Sequence, residues 1–180
     1  MKKLLIIALL CSSLSASVSY AKQKWSLVTY NVSFKIKNAG LAVNGKFSDL
    51  KTELIFSPDK LSASKLSGTV EAGTLKTGIN IRDKNIKDGH YLDVEKYKLI
   101  EISSEKLYMK GTQYAGIFKV TIKGVTKEIE IPFDFLQLGD VADFNSTFTI
   151  NRRDFSVGSG SMTMADNLTV NIKVKAKMEK

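Results

Sequence analysis

From Asn167 to Met178 polar and apolar residues alternate for twelve positions without a break. Leu168, Val170, Ile172, Val174, Ala176 and Met178 fall on one side. Asn167, Thr169, Asn171, Lys173, Lys175 and Lys177 fall on the other. Successive side chains of a strand point to opposite faces, so this segment predicts a strand with one buried face and one wet face. At about 3.3 Å per residue it spans roughly 40 Å, well beyond the usual strand of about 5–6 residues. A strand of that length needs neighbours of similar length, which means a tall sheet or barrel.

The same period recurs along most of the chain. Val32, Phe34 and Ile36 alternate with lysine and serine, and Leu41, Val43, Gly45 and Phe47 follow after Asn38-Ala39-Gly40. Further runs are Leu50 to Phe56, Leu66 to Ala72, Ile100 and Ile102, Tyr114 to Ile122, Ile129 to Phe135, and Phe144 to Ile150. Short turn signals separate most of them: Asn-Ala-Gly, Ser-Pro-Asp, Lys-Gly and Leu-Gly-Asp. About eight to ten strands with short links predict antiparallel neighbours, closed most simply as an up-and-down barrel, with a sandwich as the alternative. Only Thr77 to Tyr97 lacks the period. Asn80 to Lys87 allows about two helical turns, with Ile81 and Ile86 on roughly one side, and residues 90–97 read as a second short helix or a turn.

The N-terminus does not belong to that pattern. Lys2 and Lys3 precede the apolar run Leu4 to Leu10, and Ser19-Tyr20-Ala21 offers small residues where a signal peptidase reads them. Residues 1–21 are expected to be a secretory signal peptide, which places residues 22–180 in the periplasm as a single soluble domain. Cys11 is the only cysteine and would leave with the signal, so no disulfide or thiol chemistry is expected of the mature chain. The net charge of +9 would fall to +7 with Lys2 and Lys3 removed (25 Lys+Arg against 18 Asp+Glu). A moderate positive charge suits solubility, transient contact with an anionic membrane surface, or an anionic ligand. An exported chain without basic clusters does not point to nucleic acid.

Residues for catalysis are scarce. His90 is the only histidine, and no protein ligand set for a transition metal can be built from one histidine and no mature cysteine. No nucleotide, dinucleotide or nucleophile-elbow fingerprint occurs, so neither a cofactor nor enzymatic activity is expected. Arginine is more informative. Of 27 basic residues only Arg82, Arg152 and Arg153 are arginine, and both segments also carry aspartate, as Asp83 and Asp154. The guanidinium fork suits carboxylates and phosphates. Arg82, Asp83, Arg152 and Asp154 are therefore candidates either for a head-group contact at a barrel mouth or for Arg–Asp bonds that pin the helical excursion onto a barrel end.

The large apolar residues on the inward phase include Phe34, Phe47, Phe118, Phe133, Phe135 and Phe148, together with Trp25. Gly45, Gly68 and Gly116 share that phase. An eight-strand barrel is just wide enough to be filled by side chains or to hold one slim ligand, so a packed core and an apolar tunnel are both open.

Three segments then carry a resemblance. Thr77-Gly78-Ile79-Asn80-Ile81-Arg82-Asp83, followed by Tyr91 to Tyr97, is similar to a T-G-x-x-x-R-D segment. Gly116 to Lys127 resembles a G-x-L-T-I-K-G-V-T-K hairpin, and Asn151 to Gly158 an I-N-R-x-D-F-G-V-G strand end. In this order they resemble the YceI-like family of periplasmic, lipocalin-like proteins, with Lys98 and Ser156 standing where the family commonly has proline and glycine. The resemblance implies an all-β fold: an extended antiparallel barrel of about eight strands with a short helical insertion in the middle of the chain. It implies a carrier for a long isoprenoid-type lipid, a polyprenyl phosphate or isoprenoid quinone, held in the interior, and homodimers in many members. On that reading the lipid-binding wall is Phe34, Phe47, Phe118, Phe133, Phe135, Phe148, Val170, Ile172 and Val174, with Ala176 leaving room. The alternative is a non-enzymatic envelope stress or interaction protein with a packed barrel core.

Overall fold

The computed structural model describes residues 23–179, so the expected signal peptide lies outside the described residues. In chain order the strands are β1 (Lys24–Asn38), β2 (Leu41–Phe47), β3 (Lys51–Ile55), β4 (Lys65–Glu71), β5 (Leu99–Lys110), β6 (Gln113–Ile122), β7 (Val125–Leu138), β8 (Val141–Asn151) and β9 (Met164–Met178). One α-helix, α1 (Asn80–Lys87), stands between β4 and β5. Every strand pairing is antiparallel.

The sheet closes because β1 pairs with β9 along nearly its whole length, from Trp25 opposite Met178 to Asn38 opposite Met164. On its other edge β1 meets β2 at residues 32–38 and β3 at residues 24–25, in one continuing register. β2 and β3 thus form a single stave with a break at residues 48–50, and nine strands make an eight-stave barrel. Closure removes the free edges that a long exposed strand would otherwise present.

Two-residue turns build four of the hairpins. Asn38 pairs with Leu41, Lys110 with Gln113, Ile122 with Val125 and Leu138 with Val141. At Ala39-Gly40 and Lys123-Gly124 both residues have positive φ (49° and 78°, 51° and 74°). That twist matches the flanking strands, and glycine at the second position adopts it without a Cβ clash. The two longer connections, residues 72–98 and 152–163, lie at the same end of the barrel and are tied by the Gly158 N–H donating to His90 O at 3.0 Å. This is the lid end.

The inward rows follow from the register. Phe144 and Val174 share one level, Ser146, Ile172, Val32 and Phe47 the next, then Phe148, Val170, Phe34 and Gly45, then Ile150, Leu168, Ile36 and Val43. β1 keeps this phase only through a bulge. Val28 is the extra residue between Leu27 and Thr29 and stands 54% exposed, while Trp25 and Leu27 remain inside. β5 has a similar irregularity between Ser104 and Lys106. Both bulges break the sequence period, which is why the first half of β1 and the second half of β5 are hidden from a period-two reading. Residues 88–98 form turns, with no second helix.

The end opposite the lid is closed by interlocked rings. Trp25, Phe56, Tyr114, Phe133, Phe135 and Phe144 lie with neighbouring centroids 4.7–6.4 Å apart, mostly edge-to-face or tilted. Such arrangements set the positive edge of one ring against the negative face of another. Phe56 is 0% exposed, and its carbonyl accepts from Trp25 Nε1 at 3.0 Å. Ala142 and Ala176 face each other on the wall at this end and are both buried. Ala176 thus belongs to the packed end rather than to a ligand wall, contrary to the sequence expectation.

Truncating Phe56 to alanine should destabilise the protein by about 3–5 kcal/mol, the usual range for a fully buried phenylalanine. Phe148→Ala, at a half-buried ring, should cost less. Urea unfolding of the two variants checks the order.

Candidate functional site

Between the aromatic end and the lid lies a cavity of about 250 Å³. For scale, an engineered apolar cavity of about 150 Å³ stays dry and takes up benzene. Its staves contribute Phe34, Phe47, Phe118, Phe133, Phe148, Val170, Ile172 and Val174, all expected from the alternation. Phe135 was expected there too, but it does not border the cavity. Its ring packs against Trp25, Phe56 and Phe144 in the closed end.

Of the three inward glycines only Gly68 lines the cavity. At Gly45 a Cβ would lie 2.3 Å from Phe34 Cζ, so the tip of the Phe34 ring occupies the space that any other side chain would take. At Gly116 the space is taken by Leu107 and Phe118.

The roof comes from segments with no periodic signal. Leu75, Ile86, Leu92, Phe155 and Val157 close the lid end of the cavity. Ile86 and Ile81 do not share a face as expected. Five residues on a helix turn through about 140°, so Ile86 faces the barrel while Ile81 is 72% exposed.

The charged candidates sit as the scaffold alternative has them, with partners other than those adjacent in sequence. Arg152 borders the cavity but is 3% exposed, and its donors are committed to protein. Nε donates to Ala165 O (3.1 Å), Nη1 to Val157 O (2.9 Å) and Ser159 O (2.8 Å), and Nη2 to Asp166 Oδ1 (2.8 Å). One guanidinium fork therefore folds the β8–β9 connection onto the barrel. Gly158 lets it do so, because φ is +69° there and a Cβ would come 3.0 Å from Arg152 Nη1. The partner of Arg152 is Asp166, not Asp154, which is exposed.

Arg82 and Asp83 do not bond to each other. Adjacent helical residues point in different directions, and both side chains reach back to Thr77 instead. Arg82 Nε donates to Thr77 Oγ1 (2.7 Å) and Nη2 to Thr77 O (2.9 Å). Asp83 Oδ1 accepts from Thr77 N (2.7 Å) and from Thr77 Oγ1 (2.5 Å). Asp83 is 4% exposed, and its Oδ2 has no hydrogen-bond partner among the described residues. The Thr77 hydroxyl bond, opposed by burial and helped by the Thr77 N–H, holds the Asp83 carboxyl below its usual value of 3.8. Arg82, Asp83 and Asp154 do not line the cavity; Arg82 and Asp83 act with Arg152 as lid scaffold, while Asp154 is exposed.

His90 is exposed, with its ring edge-on to Tyr91. Among the described residues no group of three or more His, Cys, Asp or Glu side chains is placed to hold a metal ion. The walls thus offer an apolar chain dispersion contacts along its length and very few polar anchors.

Comparison with known proteins agrees with this architecture. A family model described as a YceI-like domain matches residues 25–176. A UPF0312 protein of Pseudomonas syringae pv. tomato is 31% identical over 149 residues, covering 77% of this chain and 78% of that one. Another from Pseudomonas putida strain W619 is 28% identical over 156 residues, 81% of each chain. The crystal structure of Burkholderia cenocepacia BcnA superposes with a TM-score of 0.78 at 22% identity, over 82% of this chain and 96% of that one. A polyisoprenoid-binding domain from Saccharophagus degradans, implicated in plant cell wall breakdown, gives 0.71 at 11% identity, over 88% and 99%. At these identities the two structures establish the shared fold.

Arg152→Met should cost about 2–4 kcal/mol because it removes a buried guanidinium and strands three part-buried carbonyls, less than for a fully buried pair since Asp166 is 38% exposed. The neighbouring Arg153→Met should stay within about 0.5 kcal/mol, and chemical denaturation of both compares them. For Asp83 the folded pKa is depressed, so its stabilisation is complete above the unfolded value and fades as pH falls through the folded one. The stability gap between wild type and Asp83→Asn should therefore narrow below about pH 4, measured by urea melts over about pH 2–6.

Proposed function

The chain belongs to the YceI-like family, and from that premise and the cavity we propose that it binds one isoprenoid-type lipid inside the barrel and carries it across the periplasm. The apolar cavity above the aromatic end is the observation that carries this reading. Aliphatic and aromatic walls reward a long hydrocarbon in proportion to the apolar area it buries, at about 25 cal/mol per Å². Supporting it, the fold is shared with a domain described as polyisoprenoid-binding. The head group, whether the phosphate of a polyprenyl phosphate or the ring of a quinone, sits toward the lid. Arg152 serves it indirectly, by holding the roof, because its own donors are already used. The role is binding and transfer without catalysis. Transfer to and from membranes involves brief contact with a lipid surface, which the excess of lysine favours.

Recovery of the native protein from a periplasmic fraction, followed by lipid extraction and mass spectrometry, tests this. The expected result is a prenyl lipid near one per chain, on a protein that begins at Lys22. If no lipid co-purifies and none can be loaded, the carrier reading fails, and an envelope interaction protein takes its place.

A further inference from the structure

Resting on that reading, we infer that the aromatic cluster is a length stop, and that the cavity takes only about three isoprene units of a prenyl chain. The cavity-lining residues of β8 run from Phe144 to Ile150, and those of β9 from Val174 to Leu168. Six residue steps at about 3.3 Å give about 20 Å along the strand, and a stave tilt of about 35–45° reduces this to about 15 Å along the barrel axis. An extended isoprene unit has four chain carbons joined by bonds of about 1.5 Å and so advances about 5 Å. The next inward pair beyond Phe144 and Val174 is Ala142 and Ala176, which is absent from the cavity wall, because the rings occupy that level.

The stop is rigid. Phe133 and Phe144 form its upper surface and face the cavity, while Phe56, Phe135 and Trp25 back them. Moving Phe144 would disturb Trp25, which is held by its bond to the Phe56 carbonyl at 3.0 Å. A longer chain therefore does not thread deeper. Its remaining units stay toward the lid, where Leu75, Ile86 and Leu92 form the roof.

A ladder of prenyl alcohols tests this: geraniol, farnesol, geranylgeraniol and a longer polyprenol, scored for occupancy by native mass spectrometry and for emission of Trp25, the only tryptophan. The expected result for wild type is a rise of about tenfold or more from geraniol to farnesol, then a plateau or a fall. Phe144→Leu, checked for folding by circular dichroism, should move the break toward geranylgeraniol. Ile172→Phe, which adds a ring one row above the stop, should move it toward geraniol and serves if the first variant does not fold. Affinity that keeps climbing past geranylgeraniol in wild type, or a break that neither variant moves, overturns the length stop and leaves the carrier reading standing. Failure of every prenyl alcohol to bind overturns the carrier reading and the stop together.

Discussion

The pairing of β1 with β9 is the constraint on which the rest depends. It turns a nine-strand meander into a closed wall with an inside, so the alternating apolar residues have to face one another across a bore. An eight-stave bore is narrow, and side chains of ordinary size can fill it or nearly fill it. The chain does both. Below, six aromatic rings fill it. Above, Val170, Ile172 and Gly68 leave room among the phenylalanines of the wall.

The difference between the halves comes from which side chains reach the axis at each level. Trp25 and Phe56 enter at one end, where Ala142 and Ala176 take little room on the wall. At the other end the tip of the Phe34 ring occupies the space left by the missing Cβ of Gly45, and Ser146, Val170, Ile172 and Gly68 do not reach far inward. A cavity survives there, although Phe34, Phe47, Phe118 and Phe148 line it, because smaller side chains share their levels.

The roof depends on charge rather than on apolar contact alone. Arg152 binds three carbonyls and Asp166 and thereby fixes the β8–β9 connection, while Thr77 gathers Arg82 and Asp83 at the start of α1. A buried charge such as that of Arg152 is tolerated only when nearly all its hydrogen-bonding capacity is met. A group so committed is not free to take a ligand's phosphate. Arg152, which the sequence offered as a head-group contact or as a scaffold residue, is for this reason a structural member of the lid, while Arg82 is half-buried with its fork turned onto Thr77.

The sequence by itself determined the strands whose alternation is unbroken, the helical excursion, three of the four two-residue turns and much of the cavity wall. Each of these follows from local geometry, in which side chains alternate by two and glycine permits positive φ. Where a bulge shifted the phase, at Val28 in β1 and beside Lys106 in β5, half a strand was illegible. Only the tertiary structure decided that Phe135 and Ala176 belong to the packed end, that Arg152 pairs with Asp166 rather than Asp154, and that Leu75, Leu92 and Phe155 roof the site. Alternation tells which face a residue occupies but not its height in the barrel, nor which distant residue stands opposite. Those are set by strand register and closure, which exist only once the chain has folded.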